Sequence, residues 1–89
     1  MRKIITTNQF KKDLKRLAKR GKFINKLEEA IDKLQAGINL EQRYRNHQLI
    51  GNWFPYWECH IESDWLLIYQ QTETELILIR TGTHSDLFD

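Results

Sequence analysis

A chain of 89 residues that is 40% hydrophobic makes one domain around one modest core the expectation, and suits a globular fold rather than a disordered chain. The single cysteine, Cys59, excludes an intrachain disulfide or a zinc finger built on thiols, and no apolar run approaches the ~20 residues of a membrane span. Ile4-Ile5 gives way at once to polar residues, so a cytoplasmic protein with no signal peptide and no membrane partner is expected. The net charge of +2 hides +9 over residues 1–26 against −5 over residues 41–89; this suggests a polyanion on the basic side, although a solvated helix face would look the same.

Arg2–Thr6 is short and β-branched and predicts a first strand. Thr7 or Asn8 is placed to cap the helix that follows. Phe10, Leu14, Leu17 and Ala18 make one apolar stripe, and Lys11, Lys12, Lys15, Arg16, Lys19 and Arg20 cover much of the remaining surface. Gly21 stops that helix. A second helix is predicted over about residues 22–36, with Phe23, Ile24, Leu27, Ile31 and Leu34 as its stripe and Gly37 as its end. The short connection predicts an antiparallel helix pair. Residues 38–52 lack periodicity and form an expected loop carrying Tyr44, Arg45, His47 and Leu49. Strands follow over about residues 53–61, 65–71 and 75–81, joined by tight turns at Glu62-Ser63 and Thr72-Glu73-Thr74. His84 to Asp89 predicts a brief turn or helix, with Ser85 as its cap. The fold class is α+β in a single domain over residues 1–89. Its β-α-α-β-β-β order packs a helical hairpin on one face of a mostly antiparallel sheet.

All three histidines, His47, His60 and His84, lie in the second half, in runs rich in aromatic residues, with Asp64 among them. Groups that titrate near ~6.5, together with a carboxylate, are what proton transfer requires. No glycine-rich phosphate loop and no cysteine cluster accompanies them, so a metal-independent nuclease suits the set best. A turn centred on Glu62-Ser63 puts His60 across from Trp65, and one near Glu73 puts Trp65 across from Thr81. His60, Asp64 and His84 are therefore expected at one end of the sheet, with Trp65 among them and Phe88 nearby. The face each side chain takes depends on register, since a slip of one residue exchanges the faces. Sequence alone does not place His47 with the others.

Each of these residues also has a plain structural role. A histidine among aromatics is often a packed core residue, and Asp64 could begin a strand or cap a turn. Trp65, Phe88 and the cluster Trp53, Phe54, Tyr56 and Trp57 could be core or partner surface. Arg80, beside the apolar run Leu76-Ile77-Leu78-Ile79, needs a specific anion, either a structural carboxylate or a substrate phosphate. Three histidines and Asp64 could ligate zinc. However, the chain has no His-X-His or His-X3-His pair and the ligands would come from separated segments, so no metal or other cofactor is expected.

Three segments carry a family resemblance: Asn46-His47-Gln48-Leu49-Ile50-Gly51-Asn52-Trp53, Glu58-Cys59-His60-Ile61-Glu62-Ser63-Asp64-Trp65-Leu66-Leu67-Ile68-Tyr69, and Arg80-Thr81-Gly82-Thr83-His84-Ser85-Asp86-Leu87-Phe88. The chain resembles the YafQ branch of the RelE-type toxins, the toxin halves of bacterial type II toxin–antitoxin pairs. The resemblance covers nearly the whole chain. Its His-X-Leu-X-Gly, His-X3-Asp-Trp and Arg-Thr-Gly-Thr-His-X3-Phe motifs are specific in this order, though each is weak alone. It implies the RelE-like fold and a ribosome-dependent mRNA endonuclease acting in the A site. It also implies catalytic roles for His47, His60, Asp64 and His84, a role in activity or in holding the RNA for Trp65 and Phe88, and the scissile phosphate as partner of Arg80. The implied partners are a cognate antitoxin protein, the 70S ribosome with its mRNA, and operator DNA only through the antitoxin complex. One departure is Phe54-Pro55-Tyr56-Trp57, where relatives often have a glycine and a basic residue; Trp57 stands in place of a familiar arginine.

RNA brings its own nucleophile, the 2′-OH, so neither Ser nor Cys is needed. The expected assignment makes His84 the general acid, with His47 and Asp64 sharing base and orienting roles. His60 and Arg80 would stabilise the transition-state charge. Sequence does not decide between the acid and base labels. Lys11, Lys12, Lys15, Lys19 and Arg20 are expected to hold ribosomal RNA. Two rival functions share the fold: a gyrase inhibitor that cuts no RNA, which gives no reason for the His/Asp set, and a degenerate toxin kept as a co-repressor with its antitoxin.

Overall fold

A helix pair follows the first strand and precedes the other four, and a computed structural model describes residues 1–88 of the chain; Asp89, at the end of the last predicted element, lies outside the described residues. The elements are β1 (Lys3–Thr6), α1 (Asn8–Lys19), α2 (Ile24–Gln35), β2 (His47–Gln48), β3 (Trp57–Glu62), β4 (Trp65–Gln71), β5 (Glu75–Gly82) and α3 (His84–Phe88). One sheet runs in the order β1-β5-β4-β3-β2, with β1 parallel to β5 and the other pairs antiparallel.

Local chemistry explains most boundaries. Thr7 caps α1 by accepting a 3.0 Å hydrogen bond from the Phe10 N–H. Gly21, at φ 81°, turns the chain out of it. α2 starts at Ile24, two residues later than about 22, because Phe23 takes an extended N-cap conformation. Phe23 is consequently 70% exposed and off the apolar stripe.

The pair α1 and α2 covers one face of the sheet. Phe10, Leu17, Leu27, Ala30 and Leu34 pack there on Cys59, Ile61, Trp65, Leu67, Tyr69, Leu76 and Leu78. Each fully buried Leu, Ile or Phe contributes about 1.5–3 kcal/mol. Cys59 is part of this core, and burial pushes its thiol up to about 12, leaving it inert. On the opposite face a smaller cluster joins Leu66, Ile68 and Leu87, with Leu49, Trp53, Tyr56 and Ile79 against it. β4 is thus covered on both faces, which is why Trp65–Tyr69 is an unbroken buried run rather than an alternating one.

Four departures from expectation decide where the site forms. Residues 38–52 are not all loop: β2 lies within them and pairs His47 with Glu58 and Gln48 with Trp57. β3 starts at Trp57 rather than about 53, because a 3-10 turn at Gly51–Trp53 and then Pro55, which has no N–H, precede it. Next, a bulge between His60 and Glu62 sets His60 opposite Leu66 and Glu62 opposite Trp65. A turn centred between Glu73 and Thr74, and a second bulge at Ile68–Tyr69, together place Leu67, not Trp65, opposite Thr81. These shifts put His60 on the face away from the helices and Trp65 on the face beneath them.

Candidate active site

Alternation along β3 turns Trp57, Cys59 and Ile61 toward the helices and Glu58 and His60 to the other face. β2 then brings His47 across from Glu58. β5 ends at Gly82, and α3 begins with His84. The rings form a row: His47 and His60 have centroids 6.5 Å apart, His60 and His84 6.0 Å, and His84 and Phe88 6.4 Å. Trp53 packs edge-on to Phe88 at 5.4 Å. Glu58 Oε1 sits 3.5 Å from Nε2 of both His47 and His60. At the far end, Asp64 Oδ1 accepts hydrogen bonds from the His84 backbone N–H (2.9 Å) and from its Nδ1–H (2.6 Å).

These contacts assign protons. The Arg45 carbonyl can only accept, so His47 Nδ1, 2.7 Å away, carries the hydrogen and leaves Nε2 toward Glu58. An ionised Asp64 likewise takes the Nδ1–H of His84 and leaves its Nε2 free. The backbone N–H of His84, and then its ring, hold the Asp64 carboxyl below the usual carboxylate range. His47, His84 and Asp64 have side chains half or more exposed, so a polymer can reach them.

α3 has five residues, too few to persist alone. Leu87 anchors it in the smaller cluster. Thr83 and Asp86 cap it reciprocally: the Thr83 N–H donates to Asp86 Oδ2 (3.0 Å) and the Asp86 N–H to Thr83 Oγ1 (3.1 Å). Thr83 therefore fills the capping role expected of Ser85. Arg20 reaches over from the end of α1 and forks onto the Asp86 carboxylate at 2.7 and 3.1 Å. That hydrogen bonding holds the Asp86 carboxyl far below its ordinary value. Gly82 makes the turn possible, because a Cβ there would lie 2.9 Å from the Asp86 Cβ.

Of the residues expected in the site, His47, His60, Asp64 and His84 are brought together, with Phe88 beside them at 42% exposure. Trp65 is not among them. It is wholly buried under the helices, where its Nε1–H donates to Thr81 Oγ1 at 2.9 Å. The register shift at the bulge is what turns it to that face. Arg80 has the structural carboxylate rather than a free hand for phosphate: it forks onto buried Asp13 at 2.8 and 3.1 Å. Asp13 also accepts from Gln9, Arg16 and the Thr81 N–H. Of the expected RNA-facing cations, Arg20 is committed to Asp86. Lys11, Lys12, Lys15 and Lys19 are exposed and pair with no carboxylate among the described residues. Glu58 went unnoticed in the sequence, although a carboxylate two residues before His60 on an alternating strand shares its face. Among the described residues, no three His, Cys, Asp or Glu side chains are grouped so as to hold a metal ion.

The family profile described as "Bacterial toxin of type II toxin-antitoxin system, YafQ" matches residues 2–89. The chain belongs to the YafQ toxin family. It is 41% identical over 88 residues to the "mRNA interferase toxin YafQ" of Escherichia coli K12, covering 98% of this chain and 96% of the relative. The toxin in the crystal structure of the E. coli DinJ–YafQ complex superposes with a TM-score of 0.92 at 40% identity, over 99% of this chain and 98% of that one. A metal-bound toxin from Helicobacter pylori gives a TM-score of 0.92 at 39% identity, over 99% of this chain and all of that one. As a YafQ toxin, the chain is the toxin half of a type II toxin–antitoxin pair, and its fold is that of the family.

Proposed function

We propose that this YafQ toxin is a ribosome-dependent endoribonuclease that cuts mRNA in the A site, without a metal, and that a cognate antitoxin blocks it. The observation that carries this reading is the row His47–His60–His84, with a carboxylate against each end. The E. coli relative named an mRNA interferase, and the DinJ–YafQ complex, support it in turn. The active site takes the 2′-OH proton on the His47–Glu58 side, and the 2′ oxygen attacks phosphorus. The P–O5′ bond breaks as His84, held through Nδ1 by Asp64, gives the proton of its Nε2–H to the departing 5′ oxygen and keeps its Nδ1–H. The products are a 2′,3′-cyclic phosphate and a 5′-hydroxyl. His60, between the two, faces the charge on the phosphorane. Phe88 stacks on a base. Lys11, Lys12, Lys15 and Lys19 face ribosomal RNA. Arg80 acts through Asp13 on the frame rather than on phosphate, and Trp65 supports the fold. Operator DNA is met only through the antitoxin complex, and the pair works in the bacterial cytoplasm.

Primer extension on a reporter mRNA, with and without translating 70S ribosomes, tests the function. Cuts in the A-site codon that need ribosomes and vanish in His84→Ala are the expected result. Growth arrest with no cuts under any condition would instead favour an inhibitor of gyrase type. Reversing the charge of Lys11, Lys12, Lys15 and Lys19 together is expected to abolish ribosome association in a folded protein; binding that survives would leave that helix as plain solvated surface.

A further inference from the structure

A cleft of about 310 Å³ opens beside the row of histidines, lined by Arg43, Tyr44, Arg45, His60, Glu62 and Ser63. Its charges are unequally engaged. Glu62 is matched by Lys22 and Lys26 at 3.1 and 2.7 Å. Arg43 bonds Glu41 and the Tyr44 hydroxyl, and lies over the Tyr44 ring at 4.6 Å. Arg45 is exposed, and among the described residues no acceptor holds its guanidinium. Its backbone is unusual: φ is 47°, a left-handed conformation costly for a residue with a Cβ. The same conformation points the Arg45 carbonyl at His47 Nδ1. The unmatched cation and the first histidine of the row therefore share one turn, closed by that contact.

We propose that this cleft is a phosphate subsite, in which Arg45 binds the mRNA phosphate one nucleotide 5′ of the scissile one. The inference rests on the nuclease reading above and adds a polarity to it. His84 stands at the leaving 5′ oxygen, so the strand 3′ of the cut departs over Phe88. The strand 5′ of the cut then runs the other way along the row, past His60 and into the cleft. Neighbouring phosphates on RNA are roughly as far apart as neighbouring rings in this row. Arginine suits the task, since its planar fork matches two phosphate oxygens.

Single-turnover cleavage on programmed 70S ribosomes tests this, using synthetic mRNAs in which one methylphosphonate removes one negative charge. Neutralising the phosphate 5′ of the scissile one is expected to slow the wild type about tenfold, as loss of one charge-assisted contact does. Arg45→Gln is expected to slow cleavage of native mRNA to a similar degree. It should show no further loss on the neutralised mRNA, while Arg45→Lys recovers part of the rate. Additive losses would overturn the pairing. Coupling to the 3′ phosphate instead would overturn the polarity. Slowing by Arg45→Gln with no dependence on any mRNA phosphate would assign the arginine to ribosomal RNA and overturn the subsite. A wild type that cuts native mRNA on no ribosome would fail the underlying nuclease reading, a different result from cleavage indifferent to the 5′ charge.

Discussion

Asp13 and Asp64 are held in the same way on opposite faces of one sheet. Each accepts a backbone N–H and the side chain of a basic residue from β5 or just beyond it: Thr81 and Arg80 for Asp13, His84 alone for Asp64. Asp13 has no exposed surface and four residues donating to it, so nothing remains for a ligand. Asp64 is 64% exposed and grips one residue, whose far nitrogen is free. The difference shows how to tell a structural ion cluster from a chemical one. The structural cluster is saturated, whereas the chemical one holds its geometry with some of its hydrogen-bonding groups and keeps the others open.

That contrast can be broken experimentally, starting where the effect is largest. Asp13→Ala strips Arg80 and the Thr81 N–H of their acceptor beside the core. It is expected to cost about 3–5 kcal/mol, read as a lower urea midpoint at unchanged slope. A loss within about 0.5 kcal/mol would show that the cluster is not structural. His84→Ala should do the reverse: cleavage falls about 10²–10⁴-fold while stability stays within about 0.5 kcal/mol. A marked loss of stability there would erase the distinction between the two faces.

Arg20→Gln comes next, because it sharpens the contrast. The Arg20–Asp86 pair links the basic helix to the short helix that carries His84, but Arg20 is 43% exposed. Little stability rides on so exposed a pair. Its effect should fall on the placing of His84: a few-fold drop in the single-turnover rate, with ribosome binding unchanged. Equal loss of ribosome binding would return Arg20 to the RNA-facing set with the neighbouring lysines.

The fold was legible because its signals are periodic. The stripe of α1, the glycines after both helices and the alternation in β3 each follow from local rules. The gathering of His60, Asp64 and His84 followed from hairpin geometry alone. The faces did not follow, because two bulges at His60–Glu62 and Ile68–Tyr69 shift the register and no residue pattern announces them. Trp65 was misplaced for that reason. His47 was hard to place because β2 is two residues long, and a strand that short has no period. Asp13 escaped notice because an acid on a lysine-rich helix looks solvated until a residue 67 positions away is brought to it.

The smallest effect to test is also the most discriminating in sign. Burial alone would raise the Asp13 carboxyl, but the hydrogen bonds from Arg80, Gln9 and Thr81 outweigh it and leave it below its ordinary value of 3.8. A group whose folded pKa is depressed contributes stability above its unfolded value, and that contribution disappears as pH falls through the folded one. Wild-type stability should therefore decline as pH drops below about 4, in part through Asp13. Asp13→Asn, less stable at neutral pH, should lose less on the same descent, so that the two curves converge in acid. Asp64 is depressed too, by its bonds to His84, but it stands in solvent. Asp64→Asn should leave the acid limb nearly parallel to the wild type while slowing cleavage. Parallel curves for Asp13→Asn would mean that Asp13 is not the carboxylate that ties acid stability to the core, and converging ones for Asp64→Asn would give Asp64 that role.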